Sequence, residues 1–106
     1  MKSFASLITK MTEAAVSGDG AGVAECFTED GLYHDCFYGT FKGGDIARLI
    51  TDFFHRDATN FRWDLHDPVE QGERAYVRYV FSYDSRLLGA QGRRGMFEGV
   101  CVCQLK

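Results

Sequence analysis

Apolar residues recur every three or four positions early in the chain and every second position late in it. Phe4, Leu7, Ile8, Met11 and Ala15 share one helical face, which predicts an amphipathic helix over about residues 3–16. Ser17, Gly18, Asp19 and Gly20 break it, and Asp19 is placed to cap a short second helix through Val23, Cys26 and Phe27. Thr28, Glu29, Asp30 and Gly31 then turn the chain. Residues 32–37 read as a short strand, and residues 39–44, with glycines where tight backbone is needed, as its return. Ile46, Leu49, Ile50, Phe53 and Phe54 form a second helical stripe. Asp45 lies in its first turn and His55–Arg56 at its end, both suited to the helix dipole.

The rest of the chain has a period of two. Phe61, Trp63 and Leu65 alternate with Arg62, Asp64 and His66, a half-buried strand that Pro68 is expected to end or to mark as an edge. Gln71–Gly72 suits a hairpin turn. Residues 74–83 form a long strand with Ala75, Val77, Tyr79, Phe81 and Tyr83 on one face, and Tyr76, Arg78, Val80 and Ser82 on the other. A glycine-punctuated loop over 84–95 and a last strand over 96–105 complete the chain. Three helices followed by a run of antiparallel strands predict an α+β fold.

Length sets the scale: 106 residues make one domain, residues 1–106, with no repeats. The 45% hydrophobic and 14% aromatic content argues against disorder, and nine Phe, five Tyr and one Trp are enough to line a cavity or an interface as well as a core. A net charge of −3 with only one adjacent basic pair, Arg93–Arg94, argues against nucleic-acid binding. Four cysteines, Cys26, Cys36, Cys101 and Cys103, form no C-x-x-C, and His34, His55 and His66 share no zinc spacing with them. They read as small buried hydrophobes in a reducing compartment, with a redox or metal role the minor reading, and no metal site is expected. With no signal-length apolar run at Met1–Phe4 and no membrane-length stretch, a cytoplasmic location is expected.

Four features recur together: the helix-breaking Gly18–Asp19, the strand Leu32–Tyr33–His34–Asp35, the G-x-F-x-G of Gly39 to Gly43, and the helix beginning at Asp45–Ile46. In this order, over nearly the whole chain, they resemble the SnoaL-like and ketosteroid-isomerase-like branch of the NTF2-like superfamily. The resemblance implies a cone of three N-terminal helices packed on a strongly curved, mixed but mostly antiparallel sheet. Relatives continue past the strand that ends here with one more strand, which lies between that strand and the early hairpin. Its absence leaves backbone groups to be paired by a partner subunit, a shifted hairpin or direct strand closure. A chain truncated from a longer family member is the plainer reading.

The resemblance also implies chemistry. It puts Asp35 where ketosteroid-isomerase-like relatives keep the acid that shuttles a proton beside a carbonyl, with phenol and protonated-acid donors for the enolate. Those two donors fall at about Met11 and Cys101, neither of which donates strongly. Of the Asp–Arg–Asp set of the superfamily's epoxide hydrolases, Arg78 matches the Arg, but Val80 stands at the following Asp. Cyclases and dehydratases of the branch use His with Asp, which brings in His34 or His66, although His34 and Asp35, as strand neighbours, face opposite ways. The catalytic candidates are therefore Asp35 and His34. Tyr33, Phe54, Trp63, Tyr79 and Cys101 are the candidate ligand contacts in a hydrophobic pocket. The implied function is binding of a small apolar molecule, with a cofactor-free isomerase, dehydratase, cyclase or hydrolase step at Asp35. The implied assembly is a homodimer through the sheet, or one that shares a strand. The alternatives are a non-catalytic ligand-binding module and an oligomeric assembly module. A structural Asp35, closing the turn at Tyr38–Gly39, is an equal reading of that residue.

Overall fold

Ser3 starts the first helix by accepting the Ser6 N–H on its Oγ at 3.2 Å, in a computed structural model that describes residues 3–87 and 89–105. Helix α1 (Phe4–Ser17) buries Phe4, Ile8, Met11, Thr12 and Ala15, the face that the spacing predicted. Asp19 caps α2 (Gly20–Ala24), its Oδ1 accepting the Gly22 N–H at 2.9 Å. This helix is shorter than expected. The N–H groups of Cys26 and Phe27 bond three residues back, to Val23 and Ala24, so the last turn tightens and the helix ends. Gly20 is required here, because a Cβ on it would lie 2.4 Å from the Ala47 carbonyl oxygen of the third helix.

Strand β1 (Leu32–Asp35) pairs antiparallel with β2 (Gly39–Lys42) as a two-stranded hairpin. A third helical rod follows in three parts: α3 (Asp45–Arg48), a wider π-helical segment (Leu49–Phe54) and α4 (His55–Asp57). Ile46, Leu49 and Ile50 on this rod are fully buried. The chain ends as a meander of β3 (Ala58–Gln71), β4 (Arg74–Ser85) and β5 (Arg94–Gln104), in the order β3-β4-β5, all antiparallel.

Pro68 does not end β3. The register slips between His66 and Val69, leaving Asp67 (φ 54°) and Pro68 out of the ladder, so the missing proline N–H breaks no pairing. A second slip, between Thr59 and Arg62, surrounds Asn60 at φ 52°. The β4–β5 loop is shorter than the predicted 84–95, because the Ser85 N–H still donates to the Arg93 carbonyl at 2.9 Å and Asp84 pairs with Arg94.

Ala75 and Val77 on the inner face of β4 meet Phe4, Ile8, Met11, Ala15, Val23, Ile46, Leu49 and Ile50 from the helices, while Phe81 on the same face is buried among aromatic rings. This is the α+β layering expected, with three helices on a mostly antiparallel sheet and no closed barrel. The hairpin has not shifted to join the large sheet, nor do the strands close directly: among the described residues, β5 pairs with β4 alone. On the outer face Tyr76, Met96, Val100 and Val102 are exposed, as is Val69 on β3. Among the described residues no helix is long and apolar enough to cross a membrane.

Candidate functional site

Alternation on β1 sorts its four side chains. Tyr33 and Asp35 turn inward and are partly buried, while Leu32 and His34 are exposed. His34 Nδ1 lies 2.7 Å from Thr40 Oγ1 across the hairpin, so the strand does not bring His34 and Asp35 together. Asp35 turns the chain with its own carboxylate. Its Oδ1 accepts the N–H groups of Phe37 at 2.8 Å and Tyr38 at 3.0 Å, which is why β1 stops at Asp35 rather than reaching Phe37. Among the described residues no donor reaches Oδ2.

The hairpin leans against β5 through side chains. Phe37 meets Phe97 edge-on, with ring centroids 5.6 Å apart, and Tyr33 lies within electrostatic reach of Cys101. The hairpin thus lies beside β5 near residues 97 and 101, and among the described residues no backbone ladder joins the two. Asp35, the last residue of β1, lies within electrostatic reach of Tyr33 and of Tyr79. Tyr79, the ladder partner of Gly99, lays its phenol across that glycine, so that a Cβ there would lie 2.5 Å from the hydroxyl oxygen. Only a residue without a side chain lets the phenol cross β5 toward the hairpin. Tyr83 crosses Gly95 in the same way.

Burial raises the Tyr33 phenol above the usual tyrosine range, and the Asp35 charge raises it further. Tyr79 is raised by burial first, then by Cys101, Cys36 and Asp35. Both phenols therefore stay protonated donors in the neutral range. Burial, with Cys103 beside it, pushes the Cys101 thiol up to about 11. Trp63 packs edge-on against Tyr79 at 6.0 Å, and its buried Nε1 finds no acceptor among the described residues. Phe54 packs against Phe61 and Phe81, each at 6.1 Å.

Of the predicted residues, then, Asp35 and Cys101 lie within electrostatic reach of Tyr33 and Tyr79, Trp63 packs on Tyr79, Phe54 belongs to the neighbouring ring cluster, and His34 faces away. His66 pairs with Arg78 on the outer side, where Arg78 Nη2 meets Asp67 Oδ2 at 3.0 Å. An open groove of about 460 Å³ between α1 and β3 is lined by Trp63 and His66 and does not include Asp35. Among the described residues no three His, Cys, Asp or Glu side chains gather to hold a metal ion.

Sequence reasoning missed Gly99 and the pair Tyr38–Asp57. Tyr38 Oη donates to Asp57 Oδ2 at 2.6 Å, and Arg56 reaches both Asp57 oxygens at 2.6 and 2.9 Å. Glycines four apart on one face of β5, opposite tyrosines four apart on β4, were the available signal for Gly99.

Helices laid on a curled antiparallel meander, with an inward carboxylate on an early hairpin, define an NTF2-like, ketosteroid-isomerase-like fold. The family model of the SnoaL-like domain matches residues 8–106, and the chain belongs to that family. Solved structures agree on the fold. An NTF2-like protein of unknown function from Burkholderia pseudomallei shares 19% identity at a TM-score of 0.79, over 100% of this chain and 83% of that one. A protein with a ketosteroid isomerase-like fold from Catenulispora acidiphila, solved in complex with trimethylamine, shares 13% at a TM-score of 0.80, over 94% and 75%. A LEH-like epoxide hydrolase from M. tuberculosis shares 16% at a TM-score of 0.72, over 94% and 71%. No curated protein matches the chain closely enough to count as a relative.

Proposed function

We propose that the chain binds a small, mostly apolar carbonyl compound between β1 and β5, and that Asp35 moves a proton on it without a cofactor. The observation that carries this reading is one carboxylate with an open Oδ2 within electrostatic reach of two phenols, Tyr33 and Tyr79, the second laid across Gly99. A carboxylate near a carbon acid removes its proton, and protonated phenols donate to the oxygen where the charge collects. These phenols stand in for the donors missing at Met11 and Cys101. Trp63 and Cys101 supply apolar contact, and His34 takes no part.

The apolar residues exposed on the outer sheet face, Tyr76, Met96, Val100 and Val102, support a homodimer through that face. Replacing Val102 with Glu is expected to shift sedimentation toward the monomer; an unchanged sedimentation coefficient rejects this interface.

A second reading has its own observation. Trp63, Phe54, Phe61, Phe81 and Phe97 contact one another as a ring cluster, which favours a packed, non-catalytic binding or assembly module. A thermal-shift screen of hydrophobic ketones, epoxides, lactones and polyaromatics, run on wild type and Asp35→Asn, separates the two. Ketone hits that weaken in Asp35→Asn, followed by exchange of their α-protons in D2O, support the proton-transfer reading. An empty screen rejects it in favour of the packed module.

A further inference from the structure

Asp35 sits in a turn that has little else to hold it. Cys36 is exposed and Phe37 is 67% exposed, so the two N–H donors that orient the carboxylate lie on a segment with one buried face at most. Beyond the edge-on contact of Phe37 with Phe97, the hold comes from Tyr38. Its ring packs against Phe53 at 5.3 Å and Phe54 at 6.1 Å, and its hydroxyl meets Asp57 Oδ2 at 2.6 Å.

Asp57 is a fixed point. Its side chain is only 14% exposed, and Arg56 donates to both of its oxygens. Its carbonyl oxygen accepts the Arg86 N–H at 2.7 Å, and Arg86 Nη1 donates to the His55 carbonyl at 3.0 Å, which ties the rod's end to the β4–β5 loop. The π-helical segment makes this reach geometrically simple. A wider turn lets the neighbours Phe53 and Phe54 both face Tyr38, with Asp57 one further turn along. The Arg56 charge cancels that of Asp57, so the anchor brings no second unpaired negative charge toward Asp35.

We propose that Tyr38 is a positioning residue: its hydroxyl, held by Asp57, fixes the backbone N–H groups that aim the Asp35 carboxylate. The connection runs from Arg56 through Asp57 to the Tyr38 phenol, then through the Tyr38 backbone to Asp35 Oδ1, leaving Oδ2 directed to the site. The proposal rests on the reading of Asp35 as the proton acceptor, and its role is orientation. A base a fraction of an ångström out of line loses rate before it loses affinity.

The test uses 2-acetylnaphthalene as the probe with Tyr38→Phe, Asp57→Ala, Asp35→Asn and the Tyr38→Phe/Asp35→Asn double variant. Affinity is read from Trp63 fluorescence, and proton transfer from methyl hydrogen–deuterium exchange by NMR. The expected result is a dissociation constant within about twofold of wild type for Tyr38→Phe and Asp57→Ala, with exchange slowed at least tenfold. The double variant should exchange no more slowly than Asp35→Asn alone, because both changes act on one group. Wild-type exchange in Tyr38→Phe, or equal losses of affinity and rate, overturns the proposal. Backbone amide protection at Phe37 and Tyr38 provides a readout independent of turnover. If protection drops at least tenfold in Tyr38→Phe and Asp57→Ala while wild type exchanges no ketone protons, the anchor stands and the proton-transfer reading fails. Unchanged protection means that the anchor itself is wrong.

Discussion

The Tyr79 phenol lies across Gly99, so close that a Cβ on Gly99 would sit 2.5 Å from the hydroxyl oxygen and 2.7 Å from the ring carbon that bears it. Glycine weakens a strand, and here its cost is offset by a ring that covers the bare backbone. Gly99→Ala should force the ring aside rather than the backbone. The expected loss is about 1–3 kcal/mol, the usual cost of overpacking. Urea unfolding measures it, and ketone affinity should fall with it because the Tyr79 hydroxyl leaves the site. A variant as stable as wild type would mean that the ring moves freely.

Two substitutions at Asp35 separate its roles. Asparagine keeps a side-chain carbonyl oxygen that can accept the Phe37 and Tyr38 N–H groups, so Asp35→Asn should unfold within about 1 kcal/mol of wild type while abolishing proton transfer. Alanine keeps neither, so Asp35→Ala should lose about 1–2 kcal/mol for the two turn hydrogen bonds. Chemical denaturation of both variants checks this. Equal stability of all three proteins would show that the turn does not need the carboxylate.

The Tyr38–Asp57 pair predicts a stability profile with two limbs. Arg56 first, and then the Tyr38 hydroxyl, hold the Asp57 carboxyl below its ordinary range. Unfolded Asp57 regains a value near 3.9, so the unfolded chain binds more protons below that point. The pair's contribution is therefore complete above the ordinary value and lost as pH falls through the folded one. Burial, and then the bond to Asp57, raise the Tyr38 phenol. That contribution is complete below about pH 10 and lost as pH rises toward the folded value. The difference in melting temperature between wild type and Tyr38→Phe should be flat from about pH 5 to 9 and shrink beyond either end. Calorimetric melts across pH decide it; a difference that persists unchanged at the acid end contradicts the ion-paired anchor.

Thiol reactivity tests the burial of the site floor. Cys36 is exposed on the turn, whereas Cys101 is partly buried with its thiol pushed up to about 11. In native protein at mildly alkaline pH, a disulfide reagent should label Cys36 first and Cys101 at least tenfold more slowly. Peptide mass mapping over time reads the order. Equal rates would mean that the hairpin does not cover β5.

The helices and the long strands were legible because their signals are local. Phe4, Ile8, Met11 and Ala15 repeat along α1, and the alternation from Ala75 to Phe81 places one face of β4 inward whatever the rest of the fold does. The opposed facing of His34 and Asp35 follows from the same period. The π-helical turn was not legible, since Ile46, Leu49, Ile50, Phe53 and Phe54 make a stripe that fits a tight or a wide helix alike. Nor was the Tyr38–Asp57 bond, which spans 19 residues and exists only because the rod's end returns to the hairpin. The course of β3 through Pro68 depended on a register slip that no composition announces.

The wide turn at Leu49–Phe54 also records how much the rod tolerates in its length. A helix that absorbs one extra residue stores it as such a bulge. Removing one exposed residue there, Thr51 or Asp52, would let the rod rewind to regular geometry and rotate everything after it by about 100°. His55 would then leave the Ala15 carbonyl it meets at 2.9 Å, and Asp57 would leave Tyr38. A single codon deletion on the protein's surface, touching no residue of the site, should therefore act on the site as strongly as a substitution inside it.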